Sequence, residues 1–421
     1  MLERRKPIPV GEAVKKVMEN QLTGVTEYIP IEESYGRILA ENIIATNDVP
    51  HFDRSPYDGF AVRSIDTKKA SLDHAVEFEV IDHIGAGHVS DQTVNEFQAV
   101  RIMTGAMMPN GADAVVMLEL TNTYEKNGKP YMSAKRKLNK GENVSFRGED
   151  TEAGESLVKK GTYINPGVQA ILATFGYSRV PVAKKPIIGL FATGTELLEV
   201  NEPLEPGKIR NSNAYMIAAQ IERAGGSVHY YGKLPDDFDT CFEAVKNAID
   251  KVDLLITTGG VSVGDFDYLP EIYQKLGAEV LFNKVAMRPG SVTTVAKFQD
   301  KILFGLSGNP SACYVGFELF TRPIIRKMLF SNQPHLRKEK AELLANFPKP
   351  NPFTRFVRSS VQINEGRLTV SPSGTDKSNI VTSLVGANAL MVLPGGTRGF
   401  EAGNVVDVLL LEDQTGSEWP W

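Results

Sequence analysis

The sequence predicts a multidomain α/β plus β protein, in which a central α/β domain with a parallel sheet lies between β-rich segments. Three observations lead to this fold class. Strand-like and helix-like segments alternate over residues 181–330, short apolar runs broken by Gly, Asn and Pro fill residues 48–140, and strand-like alternation returns after residue 331. The length of 421 residues is also too great for one ordinary core.

The composition is that of a globular protein and excludes several functional classes. The formal net charge of -5 argues against nucleic acid as a partner, because phosphate backbones require clustered Lys and Arg. The start lacks the apolar segment of a signal peptide, and no apolar run approaches the ~20 residues of a membrane span. Cys241 and Cys313 are far apart and form no C-x-x-C. We therefore expect a soluble cytoplasmic protein with two buried thiols and no membrane contact.

The first 180 residues predict one helix, an extended stretch and a β-rich insert. Ala13, Val14, Val17 and Met18 recur at helical spacing, which predicts a helix over residues 10–20. The chain from Glu27 to Thr46 looks extended, with three candidate buried positions: Ile29, Ile31 and Ile43. The runs FAVRS, VEFEVI and DAVVMLEL indicate the insert, and KKGTYINPGVQAILATFG predicts a turn followed by a helix.

The central region alternates strands and helices. The predicted strands are IIGLFATG, SVHYYGKL, DLLITTGG and KILFGLSGNP, and the helices between them include NSNAYMIAAQIERAGG and FDTCFEAVKNAIDK. Such alternation predicts a parallel, right-handed α/β sheet, in which ligands lie beyond the carboxyl ends of the strands. Four such ends carry Gly or acidic residues and are expected to form one pocket rim: TGTE, LPDD, TTGGVSVGD and LSGNP.

The last region is predicted to be a small closed β module. The segment SSVQINEGRLTVSPSG alternates around Asn364–Gly366, which predicts a hairpin, and NALMVLPGGTRGFEAGNVVDVLLL continues the alternation. We expect the tail GSEWPW to be mobile.

The segment TTGGVSVGDFDY (257–268) is the strongest local motif. Gly259 and Gly260 would let the backbone approach a ligand, and Asp265 and Asp267 add the oxygen ligands that suit Mg²⁺ bound together with a phosphate. A tight strand–helix turn with a capping Asp accounts for the same residues. The stretch also fits the nucleophile elbow G-x-S-x-G around Ser262, but the one histidine that follows is His335, beyond the sheet region, which disfavours a serine hydrolase.

Two further segments indicate anion binding. In LSGNPSACYVGFELF, Asn309 is a predicted N-cap and Pro310 the first helical residue, so Ser307, Gly308 and the first helical N–H groups could bind an anion. A plain capped helix is the alternative. Lys284 and Arg288, in NKVAMRPG, are two cations that could meet an oxyanion or a phosphate.

Taken together, these motifs resemble one family, the MoeA-type molybdopterin molybdenumtransferases, which are related to the gephyrin E domain. Five stretches in the expected order carry the resemblance over nearly the whole chain: PHFDRSPYDGFAV (50–62), TGAMMPNGADAVVMLE (104–119), GENVSFRGED (141–150), TTGGVSVGDFDY (257–268) and LSGNPSACYVGFEL (306–319). Any one of them alone would be a weak match.

The resemblance implies a division of the chain and an activity. The implied parts are an N-terminal helix (1–26), an extended two-part linker domain (27–47 and 141–180), an inserted β-rich domain (48–140), an α/β domain like the pterin adenylyltransferases (181–330) and a C-terminal β-barrel (331–421). The implied enzyme is a homodimer with active sites built from both subunits. With Mg²⁺ and molybdate it cleaves adenylylated molybdopterin, releases AMP and leaves molybdenum on the dithiolene. The pterin adenylyltransferase is a candidate partner protein.

The resemblance also assigns roles to residues of this chain. The implied catalytic residues are Asp58, Thr104, Asp150, Glu196, Asp236 and Asp267, of which Glu196, Asp236 and Asp267 are the implied Mg²⁺ ligands. The implied substrate-binding residues are Gly259, Gly260, Ser262, Gly264, Lys284, Arg288, Ser307, Gly308, Asn309, Pro310, Ser311, Arg358, Ser371 and Ser378. Two positions depart from the family pattern: Tyr57 replaces a small residue or Met, and Ser307 replaces a Pro, which is expected to loosen the loop.

Two other functions stay open at this point. A molybdopterin adenylyltransferase shares the α/β domain, but those enzymes stand alone as that single unit, whereas this chain has predicted domains on both sides. A non-catalytic scaffold, as in the gephyrin E domain, would not need the acidic and glycine-rich rim that this chain retains.

Overall fold

The computed structural model describes residues 6–235, 237–260, 268–412 and 416–420. The chain forms two compact units. The first comprises Met1–Glu41, Lys160–Gln169 and Ser178–Trp421, and the second Asn42–Lys159 and Ala170–Tyr177. None of the helices in the described ranges is long and apolar enough to span a bilayer. The five domain boundaries drawn from the sequence stay a prediction.

The chain begins with helix α1 (Val10–Glu19), as predicted, and strand β1 (Thr26–Pro30). Four α1 side chains at helical spacing are buried in the core of the first unit: Val10, Ala13, Val14 and Val17. Ile29 is buried as expected, but Ile31 is only half-buried and starts a short 3₁₀ helix, Ile31–Glu33. The stretch from Glu27 to Thr46 is therefore not continuously extended.

The second unit is built on a six-stranded sheet, which confirms the β-rich character of this region. Its strands are β2 (Ile43–Ile44), β3 (Gly59–Val62), β4 (Val76–Ile84), β5 (Gln98–Ile102), β6 (Ala114–Met117), β7 (Thr121–Lys126), β8 (Lys129–Ala134) and β9 (Ser156–Val158). The next helix, α2 (Pro166–Thr174), begins in the first unit and ends in the second. The strand order is β6-β3-β5-β4-β8-β7, while β2 and β9 pair separately. Phe60, Phe78 and Met132 fill the core under this sheet.

The α/β part of the first unit follows. Its elements are β10 (Arg179–Ala183), β11 (Ile187–Thr193), β12 (Leu197–Leu198), β13 (Ile209–Arg210), α3 (Ser212–Ala224), β14 (Ser227–Leu234), α4 (Phe238–Ile249), β15 (Leu254–Thr258), α5 (Leu269–Leu276), β16 (Glu279–Phe282), β17 (Met287–Arg288), β18 (Thr294–Phe298), β19 (Lys301–Leu306), α6 (Pro310–Gly316) and α7 (Arg322–Met328). A π-helical turn, Phe317–Thr321, joins α6 to α7.

The α/β sheet is mixed rather than wholly parallel. Its strand order is β14-β11-β15-β19-β18-β16. The first four strands are parallel, as predicted, but β18 runs antiparallel to β19, and β16 antiparallel to β18. β16 and β18 are not among the four predicted strands, and they make this edge antiparallel because only Gln299 and Asp300 separate β18 from β19. A two-residue link makes a hairpin, whereas a parallel neighbour needs a long crossover.

Helices cover both faces of this sheet and bury its apolar strands. On one face, α3, α6 and α7 share a core that includes Ile217, Val315 and Ile324. On the other, α4 and α5 pack Val245 and Ile272 against the sheet. The side chain of Asn211 caps α3 by accepting from the N–H of Ala214 at 3.2 Å, and Gly225 ends the helix with φ +98°.

The C-terminal part is a closed five-stranded barrel, as predicted. Its strands are β20 (Arg337–Leu343), β21 (Thr354–Asn364), β22 (Arg367–Pro372), β23 (Ala389–Leu393) and β24 (Val405–Leu410). Pairing of β21 with both β22 and β23 closes the ring. The predicted hairpin turns at Glu365 and Gly366, and β17 adds to the edge of β21.

The tail is bound rather than mobile over residues 416–420, which corrects the sequence expectation. Ser417 and His335 exchange backbone hydrogen bonds of 3.0 and 3.3 Å, and the ring of Trp419 meets that of His335 edge-on at 5.5 Å between centroids.

Candidate functional site

The ends of β11, β14, β15 and β19 line one cavity of about 530 Å³, here called the rim cavity. Thr193 to Glu196 follow β11, Leu234 and Pro235 end β14, Gly259 and Gly260 follow β15, and Ser307 to Asn309 follow β19. The structure thus brings the four predicted strand ends together, because carboxyl ends of neighbouring parallel strands open at one edge of a sheet.

Two glycines let the strand ends approach closely. Gly259 has φ +87°, and a Cβ there would lie 2.6 Å from the carbonyl oxygen of Thr193. Gly260 has φ +67°, and its Cβ would lie 2.9 Å from the hydroxyl oxygen of Thr193. No other residue type fits either position without movement of the backbone or of Thr193. The cavity therefore has backbone, rather than side chains, along this wall.

Of the three predicted Mg²⁺ ligands, Glu196 is the one that lies within the described residues. Its side chain is exposed and lines the rim cavity. Its backbone carbonyl accepts from the N–H of Ile209 at 2.8 Å, which fixes the loop. Four other predicted site residues lie outside the described residues: Asp236, Ser262, Gly264 and Asp267. Within the described ranges, no three His, Cys, Asp or Glu side chains cluster closely enough to hold a metal ion.

The loop before α6 is held by a hydrogen bond to the hydroxyl of Ser307. Ser307 is buried, and its Oγ accepts a hydrogen bond from the N–H of Asn309 at 3.2 Å. The expected loosening by a Ser at this position is therefore offset by a bond that Pro could not make. Asn309 is the N-cap residue and Pro310 the first helical residue, as predicted, although the side chain of Asn309 makes no capping bond.

Ser311 attaches α6 to the barrel. Its N–H donates to the carbonyl oxygen of Ser378 at 3.0 Å, and its hydroxyl donates to that of Ile380 at 2.7 Å. Since Ser311 is completely buried, this N–H group is occupied and does not face an anion. The structure thus corrects the expectation that the first helical N–H groups as a set are available for a phosphate.

A second cavity of about 420 Å³, here called the barrel cavity, adjoins the first. Ser307 and Asn309 line both cavities. The barrel cavity adds the predicted residues Arg288 and Ser378, together with three that sequence reasoning missed: Arg355, Asp376 and Lys377. The missed residues come from the barrel, and no local motif marks them. Lys284 lines neither cavity, and its carbonyl oxygen accepts from the N–H of Ile8 at 3.2 Å.

Arg358 holds the barrel loop that carries Lys377. Its guanidinium is buried, lies 3.1 Å from a carboxylate oxygen of Asp376 and donates to the carbonyl oxygen of Lys377 at 3.1 Å. Burial lowers the pKa of Arg358, and Asp376 opposes that change. Arg358 therefore positions the cavity wall from behind. Ser371 pairs with Ser360 within the sheet and lines neither cavity.

The remaining predicted residues belong to the second unit. Asp58 accepts two hydrogen bonds from Thr104, one from its N–H at 2.7 Å and one from its hydroxyl at 2.8 Å. Asp150 is exposed, and its N–H donates to the carbonyl oxygen of Val49 at 3.0 Å. Tyr57 is 43% exposed, so this departure from the family pattern does not alter the core.

Comparison with known families covers three segments of the chain. Residues 8–176 match the MoeA N-terminal region (domain I and II), residues 189–327 a probable molybdopterin binding domain, and residues 340–411 the MoeA C-terminal region (domain IV).

Known proteins match the chain over its length. A molybdopterin molybdenumtransferase of Bacillus subtilis (strain 168) is 62% identical, with 100% of this chain and 98% of that protein covered. One of Staphylococcus aureus (strain MRSA252) is 52% identical, with 99% of each covered. The crystal structure of the molybdopterin biosynthesis MoeA protein from Pyrococcus horikoshii OT3 has a TM-score of 0.79 and 30% identity, and covers 96% of this chain and 100% of that one. Since these matches run through both units and the barrel, the chain belongs to the MoeA family.

Proposed function

We propose that this chain is a molybdopterin molybdenumtransferase, a transferase of molybdenum cofactor biosynthesis that inserts molybdenum from molybdate into adenylylated molybdopterin and releases AMP. The observation that carries the proposal is the pair of adjoining cavities at the carboxyl edge of the α/β sheet, one walled by glycine backbone and one by cations. The names of the Bacillus and Staphylococcus relatives support the same reaction.

The rim cavity is the proposed site of the nucleotide-tagged pterin. Its volume of about 530 Å³ lies within the range usual for small-molecule sites. The backbone at Gly259 and Gly260 allows a phosphate to approach closely, and Gly308, whose Cβ position would be 3.6 Å from the Cα of Gly259, continues this wall together with Asn309. Ser262 and Gly264 stay proposed parts of this site.

The barrel cavity is the proposed site of molybdate. Molybdate is a tetrahedral dianion, and Arg288 and Lys377 bring cationic groups to a cavity that also presents Ser307 and Ser378. Lys284, which lies outside the cavity, remains a proposed contributor. A dianion held here would lie beside the pterin, since Ser307 and Asn309 are common to both cavities.

Mg²⁺ is the proposed cofactor. The rim presents oxygen donors in the carboxylate of Glu196 and the hydroxyls of Thr193 and Thr195, and oxygen is the ligand atom that Mg²⁺ prefers. Asp236 and Asp267 are the other proposed ligands. When bound, Mg²⁺ would neutralise charge on the adenylate phosphate. Asp58, Thr104 and Asp150 stay proposed catalytic residues, and the homodimer and the cytoplasm stay the proposed assembly and location.

The reaction can be tested directly by AMP release. Purified protein is incubated with adenylylated molybdopterin, molybdate and Mg²⁺, and AMP is quantified by chromatography. Asp267→Ala should abolish AMP release, whereas Asp250→Ala, at an exposed position after α4, should retain it. Full activity of Asp267→Ala would contradict the proposed metal role. Adenylylation of free molybdopterin by ATP would instead indicate the alternative adenylyltransferase activity. Inactivity in both assays would favour the third alternative, a non-catalytic scaffold.

A further inference from the structure

Ser307 lies where the rim cavity and the barrel cavity meet, since it lines both. The residue is only 6% exposed, and its hydroxyl oxygen accepts a hydrogen bond from the N–H of Asn309 at 3.2 Å. A serine hydroxyl also has a proton to donate. Within the described ranges, no protein group accepts this proton. A nearly buried donor that lines two cavities is therefore available to a ligand.

The position of this hydroxyl is fixed by bonds at both ends of the next peptide group. The carbonyl oxygen of Gly308 accepts from the side-chain amide of Asn213 at 2.7 Å, and the N–H of Asn309 donates to Ser307. Asn213 is itself buried and lies in the first turn of α3. The loop is thus tied to α3 on one side and to its own serine on the other. A donor held in place in this way loses little freedom when it binds a ligand.

The backbone next to Ser307 has no free N–H group for an anion between Asn309 and Ser311. The N–H of Asn309 is bonded to Ser307, Pro310 has none, and that of Ser311 donates to the barrel carbonyl of Ser378 at 3.0 Å. A hydroxyl that accepts a hydrogen bond becomes a stronger donor, because linked hydrogen bonds polarise one another. The bond from Asn309 therefore strengthens the hydroxyl of Ser307 as a donor.

The barrel cavity provides the other groups that an oxyanion requires. Arg288 and Lys377 line it, and their side chains carry hydrogen-bond donors and no acceptors. Asp376 is the carboxylate in its lining, and it is already paired with Arg355 at 2.7 Å and with Arg358 at 3.1 Å. The side chains that face this cavity thus favour a ligand whose outer atoms are all acceptors.

We propose that the hydroxyl of Ser307 donates its hydrogen bond to an oxygen of molybdate in the barrel cavity. This inference rests on the proposed function, because it takes the barrel cavity as the molybdate site. Each oxygen of a tetrahedral dianion accepts hydrogen bonds, and those from a fixed donor to a charged acceptor are the strong ones. Ser307 then contributes to the affinity for molybdate, while the glycine backbone at Gly259 and Gly260 serves the nucleotide in the rim cavity.

The test is calorimetric titration of the full chain with molybdate and, separately, with AMP. Ser307→Ala should weaken molybdate binding about tenfold or more, because a hydrogen bond to a charged group is lost. Its affinity for AMP should stay unchanged. Arg288→Glu should abolish molybdate binding, which assigns the titrated site to the barrel cavity.

Ser331→Ala is the matched control. Ser331 is 5% exposed, its hydroxyl oxygen accepts from the N–H of Gln333 at 3.1 Å, and it lines neither cavity. The control should bind both ligands normally. Asn309 is exposed, so water can replace the acceptor that its N–H loses in Ser307→Ala, and the two serine variants should melt at similar temperatures.

Four results would overturn the inference. Unchanged molybdate affinity in Ser307→Ala would show that the hydroxyl makes no such bond, and equal weakening of both ligands would mean a disturbed loop. Weakening of AMP alone would turn the hydroxyl toward the rim cavity, and molybdate binding by Arg288→Glu would place the anion elsewhere. AMP release by the unchanged protein is measured independently, so the proposed function can stand where this inference fails.

Discussion

One carboxylate oxygen of Asp58 accepts both the backbone N–H and the side-chain hydroxyl of Thr104, at 2.7 and 2.8 Å. The pair joins the segment before β3 to the segment after β5, two stretches that also carry the family resemblance. The backbone N–H, and after it the hydroxyl, lowers the pKa of Asp58, so this carboxylate stays ionised to a lower pH than an ordinary Asp.

Thr104→Val should raise the pKa of Asp58 toward its ordinary value, because the hydroxyl bond is lost. The rise should be partial, since the N–H bond remains. A ¹³C NMR titration of the carboxyl carbon measures it. Thr123→Val, at an exposed position in the same sheet, is the matched control and should leave the Asp58 titration unchanged. An unchanged pKa in Thr104→Val would show that the hydroxyl does not stabilise the carboxylate.

Gly259→Ala should both destabilise the protein and weaken binding of AMP. The residue has φ +87°, and its added Cβ would meet the carbonyl oxygen of Thr193 at 2.6 Å. Gly277→Ala is the matched control, because Gly277 has φ +73° but nothing within 4 Å of its Cβ. The control should lose about 1 kcal/mol for the backbone conformation alone and bind AMP normally. Gly259→Ala should lose at least about 2 kcal/mol more in urea unfolding; equal losses would contradict the close approach.

Arg358→Ala should lower the free energy of unfolding by about 2 kcal/mol, because it opens a cavity and removes one guanidinium from Asp376, which keeps Arg355 at 2.7 Å. Arg367→Ala removes a barrel arginine whose side chain is 79% exposed and 3.7 Å from Glu342. Its effect should stay below about 1 kcal/mol. Urea unfolding compares the two, and similar losses would mean that the Arg358 pair contributes no more than a surface ion pair.

Acidification should destabilise the first unit through His335. Burial, then Arg322 and Lys327, lowers the pKa of His335 to about 4, whereas an unfolded histidine titrates near 6.5. Between these two values the unfolded chain binds the proton and the folded chain does not. Stability should therefore fall as the pH decreases from about 6.5 to 4, by up to about 3 kcal/mol.

The matching measurement is urea unfolding at several pH values for His335→Gln and for His229→Gln, the latter at an exposed histidine of β14. His335→Gln should flatten the acid slope in that window, and His229→Gln should keep it. Retention of the whole slope in His335→Gln would assign the acid sensitivity to other groups.

The rim cavity could be predicted from the sequence because each of its walls is a local motif. Glycines or acids follow an apolar strand in every case. Because the carboxyl ends of parallel strands lie at one edge of the sheet, these motifs are expected to line one cavity. The barrel cavity could not be predicted in the same way. Lys377 reaches it because the loop after β22 is bonded to α6 through Ser311, and Arg355 because β21 pairs with β17; the spacing of the two residues carries no periodic signal.

The antiparallel edge of the α/β sheet is also marked by a local feature of the sequence. Strand-like alternation on both sides of Gln299 and Asp300 is typical of a hairpin, and Gln299 has φ +56°. The bond from Ser311 to the barrel could not be predicted from the sequence, because its partner is distant along the chain. Its N–H group looks available at the start of α6 until the barrel carbonyl of Ser378 occupies it.

The π-helical turn Phe317–Thr321 has a consequence for the register of the segment after Asn309. Tyr314, Glu318, Arg322 and Arg326 are four apart, a spacing that drifts by roughly 40° per step around a regular α-helix. A turn closed by i→i+5 bonds holds more residues and counteracts that drift. The turn winds about one residue's rotation, roughly 100°, less than an α-helix of the same length, so removal of a single residue would restore regular winding and leave the two downstream guanidinium groups on the side on which Glu318 meets Arg223. Homologues that lack one residue at this point should therefore keep the same charges beside α3, whereas a deletion in the regular part of the helix would rotate those charges by about 100°.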